Sequence, residues 1–148
     1  MRDPKRGSVT GISFNARTLK KWAKMARVLI IDDEDGIRAF LRSAFERAGY
    51  EVIDAKNGEV GLRALKSSSV DLVITDMIMP LCDGVEVTRH IKTHNPEIKL
   101  IAISGGGHLT KIDVLRVAEQ FGVDRCFAKP FKPQDVVAAA DELLGAVV

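Results

Sequence analysis

Asp32, Asp33, Asp76, Ser104 and Lys129 are the side chains in this sequence that could do chemistry together if folding gathered them into one place. Three carboxylates offer hard oxygen ligands for a divalent cation. An ammonium and a hydroxyl offer donors for anionic oxygens. Such a set can hold a divalent cation and support acyl or phosphoryl chemistry, and little else requires it. The spacing strengthens the case, because each group stands where a short apolar run stops. Val28–Ile31 runs into Asp32 and Asp33, Leu72–Thr75 into Asp76, Leu100–Ile103 into Ser104, and Cys126–Ala128 into Lys129 and Pro130.

Apolar runs of this length between helix-like segments read as buried parallel strands. In an open parallel sheet, ligands bind beyond the carboxyl ends of the strands. The elements between the runs support that reading. Ile37, Phe40, Leu41, Ala44 and Phe45 recur at helical spacing, and Gly49 closes that helix. Tyr50–Ala55 alternates as a second strand, and Asn57 is placed to cap a helix through about Lys66, with Val60, Ala64 and Leu65 inward. After the third strand, Val70–Thr75, a loop with Pro80 and Gly84 leads to a helix over about Val85–Thr93, stopped by Pro96. Gly105–Gly107 precedes a helix near Thr110–Phe121. Pro133 opens a last helix that puts Val136, Val137, Ala140, Leu143, Leu144 and Val147 on one face. Five strand–helix pairs make a doubly wound α/β fold with a five-stranded parallel sheet.

Composition narrows the class. The chain has 148 residues, 46% hydrophobic and 28% charged, which suits one globular domain with a real core. No apolar run reaches the ~20 residues of a membrane helix, and the first residues lack the apolar stretch of a secretory signal. Cys82 and Cys126 show no metal spacing, so reduced thiols in a cytoplasmic protein are expected. The net charge of +2 hides a division: residues 1–25 carry +6 and the remainder −4. Residues 1–25 read as a basic, disordered extension before a domain over 26–148. Leu19, Trp22 and Ala23 among Lys20, Lys21 and Lys24 could form a basic amphipathic turn that touches acidic lipid or nucleic acid. The favoured reading is an extension without such a role, or an upstream start with the true start at Met25.

Val28-Leu-Ile-Ile-Asp-Asp-Glu34, Asp76-Met-Ile-Met-Pro80 followed by Asp83-Gly84, then Ser104 and Lys129-Pro130-Phe131, resemble the receiver domain of two-component response regulators. The resemblance covers residues 26–148 and is specific as a set, since all four motifs fall in order at strand ends. It implies the flavodoxin-like strand order 2-1-3-4-5 with five helices. It implies that Asp76 accepts a phosphoryl group from a histidine kinase or histidine phosphotransfer protein. Mg²⁺ would be held by Asp32, Asp33, Asp76 and the backbone carbonyl of Ile78, Asp33 directly and Asp32 through water. Lys129 would meet the phosphoryl group as a point charge, and Ser104 would donate its hydroxyl to it. Pro130 resembles the family's cis proline. A downstream protein would meet the face built from helix 4, strand 5 and helix 5, as a monomer or a phosphorylation-dependent dimer. No direct nucleic-acid or membrane partner is expected of the domain, and it is expected to be a phosphoacceptor signalling module rather than an enzyme, catalysing only its own phosphorylation and dephosphorylation.

Departures and alternatives stand beside this. Many family members carry an aromatic three residues before the lysine; this chain has Cys126 there, so a serine–aromatic relay is in doubt. Asp32 or Asp33 could merely cap the first helix, although two acids followed by Glu34 and Asp35 exceed what a cap needs. The favoured function is a stand-alone receiver; the alternatives are a receiver excised from a larger regulator or kinase, and a Mg²⁺-dependent phosphohydrolase using the same acids. His90 and His94 are a possible metal pair at i, i+4, but no nearby Cys or carboxylate completes it, so exposed helix side chains are expected. His108 and Cys82 need no role.

Overall fold

A computed structural model describes residues 25–77, 84–105, 116 and 118–145. The expected turn around Trp22, the loop containing Ile78, Pro80, Cys82 and Asp83, the glycines 106–107 with His108, the start of the fourth helix and Val147 lie outside these residues.

The described chain alternates strand and helix: β1 (Arg27–Ile31), α1 (Asp35–Arg47), β2 (Glu51–Ala55), α2 (Gly58–Ser67), β3 (Leu72–Asp76), α3 (Gly84–His94) and β4 (Lys99–Ser104). Residues 118–121 are helical and are labelled α4. β5 (Arg125–Ala128) and α5 (Pro133–Leu143) complete it. All strands pair in parallel, in the order β2-β1-β3-β4-β5. This is the expected doubly wound, flavodoxin-like sheet.

The strands β1, β3 and β4 are apolar on both sides because helices cover both faces. Successive residues point to opposite faces. Val28 and Ile30 therefore join Leu72, Ile74, Ile101 and Ile103 under Leu41 and Phe45 of α1 and Val136, Ala139 and Ala140 of α5. Leu29, Ile31, Val73, Leu100 and Ala102 face the other way, against Val87 and Ile91 of α3, with α2 and α4 packed alongside. Tyr50 ties the first layer together: its ring meets Phe45 edge to face at 5.1 Å, and its hydroxyl donates to Asp141 of α5.

Local signals behave as their chemistry requires. The Asn57 side chain accepts from the Val60 N–H at 2.9 Å and caps α2. Gly49 follows α1 with φ 96°, a conformation that L side chains rarely adopt. Two expectations are corrected. Phe40 is 67% exposed rather than inward, because Leu41 and Phe45, one turn apart, fill the stripe of α1 that faces the sheet. β5 is only half-buried, because it is the edge strand and has a neighbour on one side alone. Among the described residues, no helix is long and apolar enough to cross a membrane.

Candidate functional site

The sheet ladder continues past the strand ends and fixes their tips relative to one another. Asp32 N–H donates to Ala55 O at 3.2 Å, Met77 N–H to Ile103 O at 2.9 Å, and Lys129 N–H to Ser104 O at 3.1 Å. The Asp32 carbonyl accepts from the Arg38 guanidinium at 2.8 Å, which holds the first turn of α1 against the end of β1. On the far side of Asp76, Gly84 seats the start of α3 on the acceptor strand. A Cβ there would lie 2.1 Å from the Asp76 carbonyl oxygen and 2.6 Å from Met77 Cα. Only glycine permits that approach, and the gap is closed by backbone on both sides.

These supports bring Asp32, Asp33, Asp76 and Lys129 into one crevice. Asp32, Asp33 and Asp76 present carboxylate oxygens that all lie within 4.8 Å of one another. Asp32 and Asp76 are 1% and 3% exposed, whereas Asp33 is open to solvent. Lys129 Nζ reaches in from the end of β5, 3.0 Å from Asp76 Oδ2 and 3.4 Å from Asp32 Oδ2. The Lys129–Pro130 peptide bond is cis. Ser104 is buried at the end of β4, where its hydroxyl donates to Phe127 O at 3.4 Å and lies 3.9 Å from Cys126 Sγ. Cys126 thus sits beside the serine, and burial pushes its thiol up, which disfavours a reactive thiolate.

Asp32 satisfies both readings of its sequence position. One oxygen, Oδ1, accepts from the Glu34 N–H at 2.8 Å, as a turn cap would. The other, Oδ2, is buried and accepts no well-formed hydrogen bond among the described residues; the Lys129 ammonium lies 3.4 Å from it. Burial raises the Asp32 carboxyl above its ordinary value, and the charge of Asp76 adds to that, while the Glu34 amide and Lys129 pull it down. Lys129 is also raised overall, which in its case favours the charged form. Burial alone would lower it, but hydrogen bonds to Glu34 and Asp76 and the charges of Asp76 and Asp32 hold its proton more tightly. A cluster of acids with one buried under-bonded oxygen and an open side at Asp33 fits a hard divalent cation.

Sequence reasoning missed one member of the site. Glu34 Oε1 accepts from Lys129 Nζ at 2.8 Å, the shortest of the lysine's ion pairs among the described residues. The run of acids at 32–35 was the available signal, but spacing alone does not say which acid reaches across 95 residues. Ile78, the expected carbonyl ligand, lies outside the described residues. His90 and His94 are not part of the site; they stack on α3 at 4.3 Å between ring centroids. Burial, His94 and Lys66 hold His90 below its usual range.

A parallel 2-1-3-4-5 sheet whose carboxyl edge gathers buried acids around one lysine defines a class of phosphoryl-accepting signalling domain. The family profile described as "Response regulator receiver domain" matches residues 28–141, and the chain belongs to that family. It is similar to sporulation initiation phosphotransferase F of Bacillus subtilis, 32% identical over 118 residues that span 80% of this chain and 93% of that protein. It is also similar to the alkaline phosphatase synthesis transcriptional regulatory protein PhoP of Bacillus subtilis, 29% identical over 118 residues, which span 80% of this chain and 48% of that longer protein. Among solved structures, the response regulator protein TrrA from Thermotoga maritima in complex with Mg²⁺–BeF superposes with a TM-score of 0.68 at 32% identity, covering 80% of this chain and 99% of that one. The chain is therefore a receiver domain of the two-component and phosphorelay type.

Proposed function

We propose that Asp76 is the phosphorylated residue and that the chain acts as a phosphorylation-dependent switch rather than as a turnover enzyme. The observation that carries this is the convergence on Asp76: Lys129 Nζ stands 3.0 Å from its Oδ2, inside the same pocket as Asp32 and Asp33. An Asp76 oxygen would attack the phosphorus of a phosphohistidine donor, the P–N bond would break, and the imidazole would leave with a proton from solvent. Lys129 would follow the phosphoryl oxygens as a point charge. Asp32, Asp33, Asp76 and the Ile78 carbonyl would hold Mg²⁺, which when bound offsets charge on the transferring group.

The switch follows from the hydrogen bonds of Ser104. Among the described residues its hydroxyl meets a carbonyl at 3.4 Å and a thiol at 3.9 Å. A phosphoryl oxygen on Asp76 offers a charge-assisted bond, roughly twice as strong as a neutral one. Ser104 would move toward it and draw the end of β4 along, biasing a two-state element. The small Cys126 thiol leaves that motion without an aromatic to displace. The partners are a histidine kinase or phosphotransfer protein upstream and a protein target on the α4–β5–α5 face downstream, where the edge strand is half-buried. We place the protein in the cytoplasm, working as a single receiver module over residues 26–148 behind a basic extension; near-full coverage of sporulation initiation phosphotransferase F supports the single-module reading.

Incubation with Mg²⁺ and acetyl phosphate, followed by intact-mass measurement, tests the proposal. One phosphoryl adduct is expected on the wild type and none on Asp76→Ala. Continuous release of phosphate without an adduct would instead mark a hydrolase, and an adduct retained in Asp76→Ala would remove Asp76 from its role.

A further inference from the structure

The outer side of α3 carries a second set of ligand atoms, of a different chemical kind. Gly84 at the start of this helix touches the backbone of Asp76. His90 and His94 follow six and ten residues later, about 9 and 15 Å along the helix axis. Their spacing puts them one above the other on one face. The rings lie side by side, with centroids 4.3 Å apart and planes 24° from parallel. His94 is exposed and His90 half-exposed, so the pair opens to solvent.

The backbone orients one ring for a further task. His94 Nδ1 lies 3.1 Å from the His90 carbonyl oxygen. A carbonyl oxygen only accepts, so Nδ1 carries the proton, and Nε2 of His94 keeps its lone pair. A histidine that ligates a metal is held in this way, with one ring nitrogen donating to a carbonyl while the other binds. The i, i+4 spacing alone lacked that orientation.

We infer that His90 and His94 form a two-point site for a borderline divalent transition metal such as Ni²⁺, Cu²⁺ or Zn²⁺, bridging successive turns of α3. One ring nitrogen from each histidine would sit about 2.0–2.1 Å from such an ion, and water would complete its coordination. Both ligands belong to one rigid helix, so binding of the second costs little once the first is engaged. Imidazole favours these ions, whereas the carboxylates at the strand tips favour Mg²⁺. The two sites would therefore load independently, and this inference stands whether or not Asp76 is phosphorylated.

Calorimetric titration of the untagged full chain with Ni²⁺, in excess Mg²⁺ to keep the acidic cluster filled, tests it. Affinity should fall by about tenfold or more in His90→Ala and in His94→Ala. Ni²⁺ should raise the melting temperature of the wild type but of neither variant. Alanine favours helix, so both variants retain α3. In the wild type, substoichiometric Ni²⁺ should broaden the ring-proton resonances of His90 and His94 before that of His108. Equal affinity in wild type and both variants, loss of Ni²⁺ binding in Asp33→Ala instead, or His108 broadening first would each overturn the site.

Discussion

Within β3, Leu72, Val73 and Ile74 are 0%, 0% and 1% exposed, and Asp76 at the end of the same strand is buried almost as deeply, at 3%, with a carboxylate on it. The same contrast holds along β1, where Ile30 and Ile31 are fully buried and Asp32 is 1% exposed. The bodies of these strands gain by burial, about 1.5–3 kcal/mol for each Ile or Leu. The tips lose by it, because an ion leaves water at a cost of several kcal/mol unless it is paired. Neighbouring residues of one strand thus contribute with opposite sign. The difference teaches that the site does not hold itself together. Its acids stay close because the apolar sheet below them and the ladder bonds of Asp32, Met77 and Lys129 leave no alternative. Lys129 supplies local compensation, since its ammonium meets Asp76, Glu34 and Asp32 together.

The comparison breaks most severely if body and tip are separated. Gly84→Ala would drive a Cβ to within 2.1 Å of the Asp76 carbonyl, where no flexible side chain can give way. A loss of stability on the order of 3 kcal/mol is expected in urea unfolding, together with loss of phosphoryl uptake at Asp76. The matching substitution Gly61→Ala meets the Ile31 side chain instead and should cost clearly less.

Lys129→Met comes next. It leaves Asp32 and Asp76 buried without their cation, and a loss of about 2–3 kcal/mol is expected for this nearly buried network. Mg²⁺ should then raise the melting temperature of the variant more than that of the wild type, as a substitute counter-charge would. An equal Mg²⁺ effect on both proteins would contradict the compensation argument.

Asp32→Asn sharpens the contrast in the opposite direction. Its Oδ1 keeps the Glu34 amide bond, while one buried charge is lost. In the absence of Mg²⁺ the variant should be more stable than the wild type by about 1 kcal/mol at pH 7. The sign follows from the raised Asp32 carboxyl, which binds its proton more readily in the folded chain than in the unfolded one. Folding is therefore unpenalised below the unfolded value, about 3.9, and the penalty grows as pH rises through the raised folded value. The advantage of the asparagine should shrink toward acid, as thermal melts between pH 3 and pH 7 would show.

Glu34→Gln should do least. Glu34 is well exposed, with 59% of its side chain in solvent, so its bond to Lys129 is screened. A change below about 0.5 kcal/mol is expected, and it should diminish in high salt. A cost comparable to that of Lys129→Met would show that the rim of the site matters as much as its buried part.

Much of the site was legible because its residues are marked by local events. Each acid, the serine and the lysine end an apolar run, and a continuous apolar run is written in consecutive residues. The starts of α2 and α5 were equally visible, since the Asn57 cap and the first-turn Pro133 act within one turn of themselves. Phe40 was misplaced because helical spacing alone leaves the width of the buried stripe open, and the partner surface settles it. Gly84 was noted only as part of a motif; the need for a missing Cβ arises from a backbone that approaches it through space. The Glu34–Lys129 bond was not seen, because four consecutive acids offer one distant lysine several partners.

By itself the sequence determined the class of fold, the order of its strands' endings and the chemical kinds of group that those endings present, because hydrophobic periodicity and residue type are local properties. Only the tertiary structure decided which oxygen of Asp32 caps a turn and which faces Lys129, that Glu34 shares the lysine, that α3 rests on Asp76 through a glycine, and which nitrogen of His94 remains open. Those outcomes depend on distances of a few ångströms between particular atoms, and a one-dimensional pattern carries no such distances.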